Sequence, residues 1–191
     1  CDKGLRITVK RIDAHDGAPQ GRMSTHLHQT LKEGDVIELS APAGEFFLKD
    51  GENPVVLVSA GIGITPLFAM LQSIASKTPK RPVIFVHTSR TKENFALRDA
   101  VKTQLAKLEN AKAHLFLTAP KAAEAACCCN CTFEKHQGRP GAADILALNL
   151  PKDADVYVCG PTGFMASMKE AFLNAGIPAG NIHSEVFGTG A

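Results

Sequence analysis

The stretch that decides the fold is Val55 to Leu71, VVLVSAGIGITPLFAML. Its first six residues form a continuous apolar run, of the length and branched content expected for a strand buried on both faces. Gly61 and Gly63 follow with only Ile62 between them, and Ile64, Thr65 and Pro66 lead into apolar residues at helical spacing, Leu67, Met70, Leu71 and Ile74. Proline is suited to the first turn of a helix, where its missing N–H costs nothing. The expected unit is strand, tight turn, helix, with backbone N–H groups and the positive end of the helix dipole facing whatever the turn cradles. Such a place attracts anions, a diphosphate commonly among them. A strand-to-helix turn with no ligand gives the same short signature, so the turn alone does not decide function.

Outward from this unit the pattern repeats. Apolar β runs recur at Val83–His87, His114–Thr118, Val156–Cys159 and Ile182–Phe187. Helical spacing lies between them in Leu97, Val101, Leu105 and Leu108, and in Phe164, Met168, Ala171 and Phe172. Five buried strands alternating with helices predict an α/β fold, a five-stranded parallel doubly wound sheet. Ligands of such sheets gather at the C-terminal strand ends, near the point where strand order reverses. Those ends carry Ala60-Gly61, His87-Thr88-Ser89-Arg90, Cys159-Gly160-Pro161 and Glu185-Val186-Phe187.

Before Pro54 the rhythm is different. Leu5–Ile12 alternates apolar and polar residues and reads as a half-buried strand. STHLHQTL, 24–31, reads as a short helix capped by Ser24, and Val36–Leu39 as another strand. The boundary is expected near Gly51–Pro54, giving domains over 1–52 and 53–191.

The second strand ends in HTSR, without the carboxylate that holds a ribose 2′-hydroxyl in the usual dinucleotide fingerprint. Ser89 and Arg90 suit a 2′-phosphate instead, since a guanidinium meets phosphate oxygens through a planar fork. A solvated loop arginine would look the same, and both NADH and NADPH stay open.

Bulk composition excludes several classes. A formal net charge of +2, with 45% hydrophobic and 21% charged residues, argues for no nucleic-acid or membrane-surface partner. No apolar run is long enough to span a bilayer, and CDKGLRITVK lacks a signal-peptide layout, so the expectation is cytoplasmic. Four of six cysteines crowd into Cys127, Cys128, Cys129 and Cys131. Their spacing matches neither paired zinc motifs nor ferredoxin patterns; His136 could complete a mixed set, but the expected reading is a surface loop whose thiols are incidental or redox-sensitive, and no metal ligand is assigned. His26, His28, His87 and His183 have no paired base or nucleophile and read as packing or surface residues.

AGIGITP, the CGP turn after the fourth strand and the C-terminal EVFG together resemble the ferredoxin–NADP reductase superfamily. Within it the chain is most similar to the reductase portion of the flavohemoglobins. GLRITVKR, GRMSTHLHQTLKEGDVIELSAPAGEFFL, VVLVSAGIGITPL, ALRDAV, HQGR, VYVCGPTGFM and IHSEVFG carry the similarity over nearly the whole chain, except the cysteine-rich loop. The resemblance implies that Ala60 to Pro66 cradle the diphosphate of NAD(P)H and that Cys159, Gly160 and Pro161 receive its nicotinamide end. It implies that Ser24, with Thr25, binds the FAD diphosphate. Glu185 would tune the flavin and Phe187 cover its ring, flanked by Val186 and Gly188. The implied chemistry is hydride transfer from NAD(P)H to FAD, then single-electron release to a haem globin domain in cis, which turns nitric oxide into nitrate with oxygen.

The family's Arg-x-Tyr-Ser flavin strand and globin domain have no counterpart in these residues, so 1–52 resembles only the C-terminal part of an antiparallel flavin β-barrel. Two alternatives stay in play: a reductase for an iron–sulfur or oxygenase partner, and a non-catalytic nucleotide-binding fragment. With half a barrel the chain is expected to be flavin-poor and prone to associate through the open strand edge. Gel filtration checks this: FAD should elute free of protein, and a stoichiometric complex would refute it.

Overall fold

The computed structural model describes residues 4–14, 17–119 and 132–186. The chain divides into two compact units, Cys1–Glu45 and Phe46–Ala191.

Among the described residues of the first unit the regular element is one helix, α1 (Arg22–Gln29). It begins two residues before the expected start, with Gly21 at the N-cap, so Ser24 lies within the first turn and is not the cap. Its hydroxyl accepts the Ile12 N–H at 3.2 Å and donates to the Gly21 carbonyl at 3.1 Å. Leu5–Ile12 and Val36–Leu39 do not form strands. Alternation sets which side chains share a side, but a strand exists only where a neighbour completes its ladder. Leu5 and Val36 are left 75% and 93% exposed.

The second unit is one parallel sheet of six strands, β1 (Val55–Ala60), β2 (Val83–Ser89), β3 (Ala111–Leu117), β4 (Glu134–Gln137), β5 (Asp155–Gly160) and β6 (Ile182–Val186), in the order β4-β3-β2-β1-β5-β6. Five helices and two 3-10 turns complete the described chain, with α2 (Ile64–Lys77), α3 (Arg98–Leu105), α4 (Ala142–Ala147) and α5 (Thr162–Asn174) in this unit. The parallel doubly wound expectation holds, and the strand count rises from five to six. β4 escapes detection because EKHQ has no apolar alternation, as befits a short polar edge strand. β3 starts three residues early because Ala111 and Lys112, though exposed, pair with Val83 and Ile84.

Strand alternation splits the core into two layers. Val55 and Leu57, with Phe85, Leu115 and Tyr157, pack under α2 and α3 through Leu67, Leu71, Ile74, Val101 and Leu105. Val56 and Val58, with Val86, Phe116, Val156 and Val158, pack under α4 and α5 through Ile145, Met168 and Phe172. Each such side chain contributes about 1.5–3 kcal/mol of burial free energy, which is why a run with no polar face must lie between two layers of helix.

The N-terminal strand ends are closed by a polar knot. Arg81, 5% exposed, donates from Nε to the Asn53 carbonyl at 2.7 Å and from Nη1 to the Lys49 carbonyl at 3.1 Å, and its Nη2 meets Asp155 at 3.4 Å. The Lys49 N–H donates to the Tyr157 hydroxyl at 2.9 Å, and the Phe46 ring packs edge-on against the Tyr157 ring at 6.0 Å. Residues 46–52, grouped with the first domain on sequence pattern, are thereby fastened to the sheet.

His87 is fully buried, stacked on Phe95 at 4.1 Å, with Nδ1 2.8 Å from the Ser59 hydroxyl. The hydroxyl reaches the Val86 carbonyl at 3.4 Å. Placing the ring proton on Nδ1 lets Ser59 accept it and pass its own proton to Val86, so that Nε2, which has no partner, is a bare lone pair and not an orphaned donor. Burial pushes the His87 pKa down to about 3. The unfolded chain binds a proton near the ordinary histidine value of about 6.5, so between the two pH values it holds more protons than the native state and stability falls as pH falls. Burial also lowers His114. Denaturant midpoints should therefore be flat above about pH 7 and drop from about pH 6.5 downward, before the carboxylates titrate. His87→Asn should shallow that slope between pH 5 and 6.5, and an unchanged slope would count against a neutral buried His87.

Candidate nucleotide site

Strand order reverses between β1 and β5. β1 through β4 step outward on one side of β1, while β5 and β6 lie on the other. The crevice at the C-terminal ends of β1 and β5 is where this topology leaves room for a ligand. Register aligns the expected residues along that edge: Ala60 faces Thr88, Ser59 faces Cys159, Cys159 faces Glu185 and Gly160 faces Val186.

The turn after β1 is a 3-10 turn, Gly61–Gly63, running directly into α2 with no side chain capping the helix start. Thr65 donates its hydroxyl back to the Ile62 carbonyl at 3.1 Å, which holds the turn, and Pro66 sits in the first helical turn. The two glycines serve different needs. Gly61 has φ +55°, and a Cβ there would point into open space. Gly63 has ordinary helical φ, but a Cβ would strike the Cys159 carbonyl oxygen and lie 2.8 Å from the Gly160 nitrogen. Gly160 reciprocates, since its Cβ would lie 2.9 Å from Phe164 Cδ1 and 3.1 Å from Ala60 Cβ. The AGIGITP and CGP turns, read separately in sequence, are packed backbone against backbone. Pro161 is exposed and caps α5.

Cys159 is buried, and its Sγ–H donates to the Glu185 carbonyl at 3.4 Å. Burial first, and the Glu185 carboxylate second, push the thiol up to about 12. Glu185 is exposed beside it. Ser89 is buried and its hydroxyl donates to the Thr91 carbonyl at 2.9 Å. Arg90 is exposed, with its carbonyl accepting the Ala119 N–H at 2.9 Å. Thr88 was missed as a site residue. It is buried opposite Ala60 with its hydroxyl unpartnered, a signal that only the β1–β2 register reveals.

Ile62 and Ile64 flank the turn, half-buried and fully buried respectively. Phe187 and Gly188, like Cys127, Cys128, Cys129 and Cys131, lie outside the described residues, and of Val186 only the backbone is described. Ser24 and Thr25 belong to the first unit. The Ser24 proton is committed to Gly21, whereas the Thr25 hydroxyl is buried with no partner. Among the described residues, then, the edge formed by β1, β2, β5 and β6 offers two glycine turns, an open helix start and a neutral thiol. It offers shape and backbone dipole.

Residues 57–170 match the oxidoreductase NAD-binding domain family. A flavohemoprotein of Chromobacterium violaceum is 40% identical over 186 residues, covering 97% of this chain and 45% of that protein. The FAD/NAD-binding domain of a nitric oxide dioxygenase from Vibrio cholerae is similar at 33% identity and TM-score 0.76, over 88% of this chain and 65% of that one. A flavohemoglobin of Malassezia yamatoensis, solved with FAD and heme, is similar at 30% identity and TM-score 0.71, over 86% of this chain and 40% of that one. The chain thus spans about half the length of the curated relatives it matches. No described helix is long and apolar enough to cross a membrane.

The glycine geometry makes opposite demands at two neighbouring positions. Gly63→Ala should unfold or severely destabilise the chain, by at least about 2 kcal/mol, because backbone and not a side chain must give way. Gly61→Ala should cost about 1–2 kcal/mol for its left-handed φ yet leave the fold intact. Its methyl would intrude on the open cradle, so calorimetric titration should show nucleotide affinity down tenfold or more.

Proposed function

Because the chain belongs to the oxidoreductase NAD-binding domain family and aligns nearly end to end with the reductase part of flavohemoproteins, we propose that it is the NAD(P)H-binding electron-transfer module of such a protein. The observation that carries this reading is the backbone contact of Gly63 with Cys159 and Gly160 at the switch point of a parallel sheet. It fits a dinucleotide: one glycine leaves space for the diphosphate, the other lets the two turns close into one wall.

Bound there, NAD(P)H would supply a hydride for FAD, and the flavin's chemistry would allow one-electron release. The chain's own residues bind and orient. The Gly61–Gly63 turn and the start of α2 present backbone dipole to the diphosphate. Gly160 and Pro161 keep side chains out of the nicotinamide's way, and neutral Cys159 beneath them puts no charge next to the ring. The unpartnered Thr88 hydroxyl is suited to a sugar or phosphate oxygen, and exposed Arg90 to a 2′-phosphate. Residues 1–52 are read as part of a flavin domain, where the unpartnered Thr25 hydroxyl suits the flavin diphosphate better than Ser24 does. Glu185 and Phe187 retain the flavin-tuning and ring-covering roles. A globin haem in cis is the acceptor, and nitric oxide dioxygenation the activity of the joined protein.

Stopped-flow mixing of NADPH or NADH with the protein in a large excess of FAD tests the module. Flavin bleaching is expected, and nucleotide binding without bleaching would leave only a binding fragment. Arg90→Ala should weaken NADPH about 10- to 100-fold, as befits the loss of a charge-assisted hydrogen bond, and NADH much less. Equal losses would remove the 2′-phosphate role.

A further inference from the structure

At the far edge of the sheet, three side chains converge that nucleotide binding does not use. β4 pairs with β3 so that His114 lies opposite Glu134 and Phe116 opposite His136. Residues two apart on a strand share a face, so His114, Glu134 and His136 all project to the same side. His114 Nδ1 lies 3.1 Å from His136 Nε2 and 3.4 Å from Glu134 Oε2, and His136 Nε2 lies 3.9 Å from Glu134 Oε1. Together with Lys112, Phe116, Asp144, Ala147 and Leu148 they line a hollow of about 280 Å³.

We propose that His114, Glu134 and His136 form a three-ligand site for a divalent transition ion of the zinc class. Two imidazoles and one carboxylate are a preferred donor set for such an ion, with a solvent molecule free to take the fourth tetrahedral position. Ligands about 2.0–2.1 Å from a tetrahedral ion are about 3.4 Å apart; the two imidazole nitrogens stand 3.1 Å apart, and one carboxylate oxygen lies 3.4 Å from His114 and the other 3.9 Å from His136. The donor atoms already stand at ligand spacing with no ladder to break. The rings are also held: His114 is buried, and His136 stacks on Phe116 at 4.4 Å with 13° between planes.

Proton accounting favours an ion over a hydrogen-bonded triad. One shared proton joins the two imidazole nitrogens, leaving the carboxylate to a solvent-side contact, whereas a divalent ion satisfies all three donors at once. Asp144 adds negative charge to the hollow although its Oδ2 accepts the Gly141 N–H at 2.8 Å, and Lys112 at the rim opposes a cation. Binding would fasten the four-residue edge strand β4 to β3 and stabilise the native state in proportion to ln(1 + [metal]/Kd). The cysteines on the β3–β4 connection are a rival sink for zinc, and the experiment has to separate the two.

The full chain and a variant with Cys127, Cys128, Cys129 and Cys131 all replaced by Ser are dialysed against ZnCl2 under reducing conditions. Bound metal, melting temperature and the Co(II) spectrum are then measured. Both chains should hold about one zinc, melt higher with it, and give a tetrahedral Co(II) spectrum in which the serine chain shows no thiolate charge transfer. In the serine chain, His136→Ala and Glu134→Gln should each weaken zinc at least tenfold and abolish the melting shift. Both positions are more exposed than His114, so these variants remain informative where His114→Ala fails to fold. Loss of zinc in the serine chain, no zinc in either chain, or unchanged affinity in His136→Ala would overturn the site.

Discussion

The second unit depends on one contact that no side chain makes. Gly63 rests on the peptide joining Cys159 to Gly160, at a distance that excludes a methyl group. That approach locks the helix start of α2 against the end of β5, across the point where the sheet's winding reverses. Two features of the candidate site follow from it: the shared wall of two turns and the seat of Gly160 over Phe164. Packing energy comes from the two apolar layers, but those layers would tolerate many local arrangements. The contact selects one.

The buried titratable side chains along that edge are held uncharged. His87, one residue before Thr88, is held neutral by burial, and Cys159 is held as a thiol by burial and by the neighbouring carboxylate. A site built to host a cofactor that does its own redox work has no need of a base or a thiolate. Backbone dipole and exclusion of side chains are what the chain provides. The polar knot of Arg81, Asp155 and Tyr157 lies at the opposite ends of the strands, where a fully desolvated guanidinium is tolerable because three acceptors surround it.

How much of this was legible in the sequence differs by element. Val55–Leu71 was fully legible, because a strand buried on both faces and an amphipathic helix each leave a strong period, and the glycines between them can serve few purposes. Gly63 could be singled out, but not its partner: that Cys159 lies beneath it is a fact of strand order, which no local pattern encodes. The strands expected at Leu5–Ile12 and Val36–Leu39 failed for the complementary reason, since an apolar pattern was present and, among the described residues, a ladder neighbour was not. β4 was invisible because EKHQ carries no apolar signal, and with it went the juxtaposition of His114 and His136, twenty-two residues apart. The helix cap at Ser24 was misplaced by three residues, because Gly21 caps without a side chain and only the Ile12 hydrogen bond reveals what the serine does instead.

The thiol at the sheet edge bears on how such a protein survives its surroundings. With its pKa pushed up to about 12 by burial, Cys159 is held as the thiol at neutral pH, and the thiolate is the form that reacts. Peroxides, electrophiles and nitrosating agents would therefore meet an inert sulfur at this position. A cysteine can thus sit beside the crevice proposed for a nucleotide without becoming its weak point.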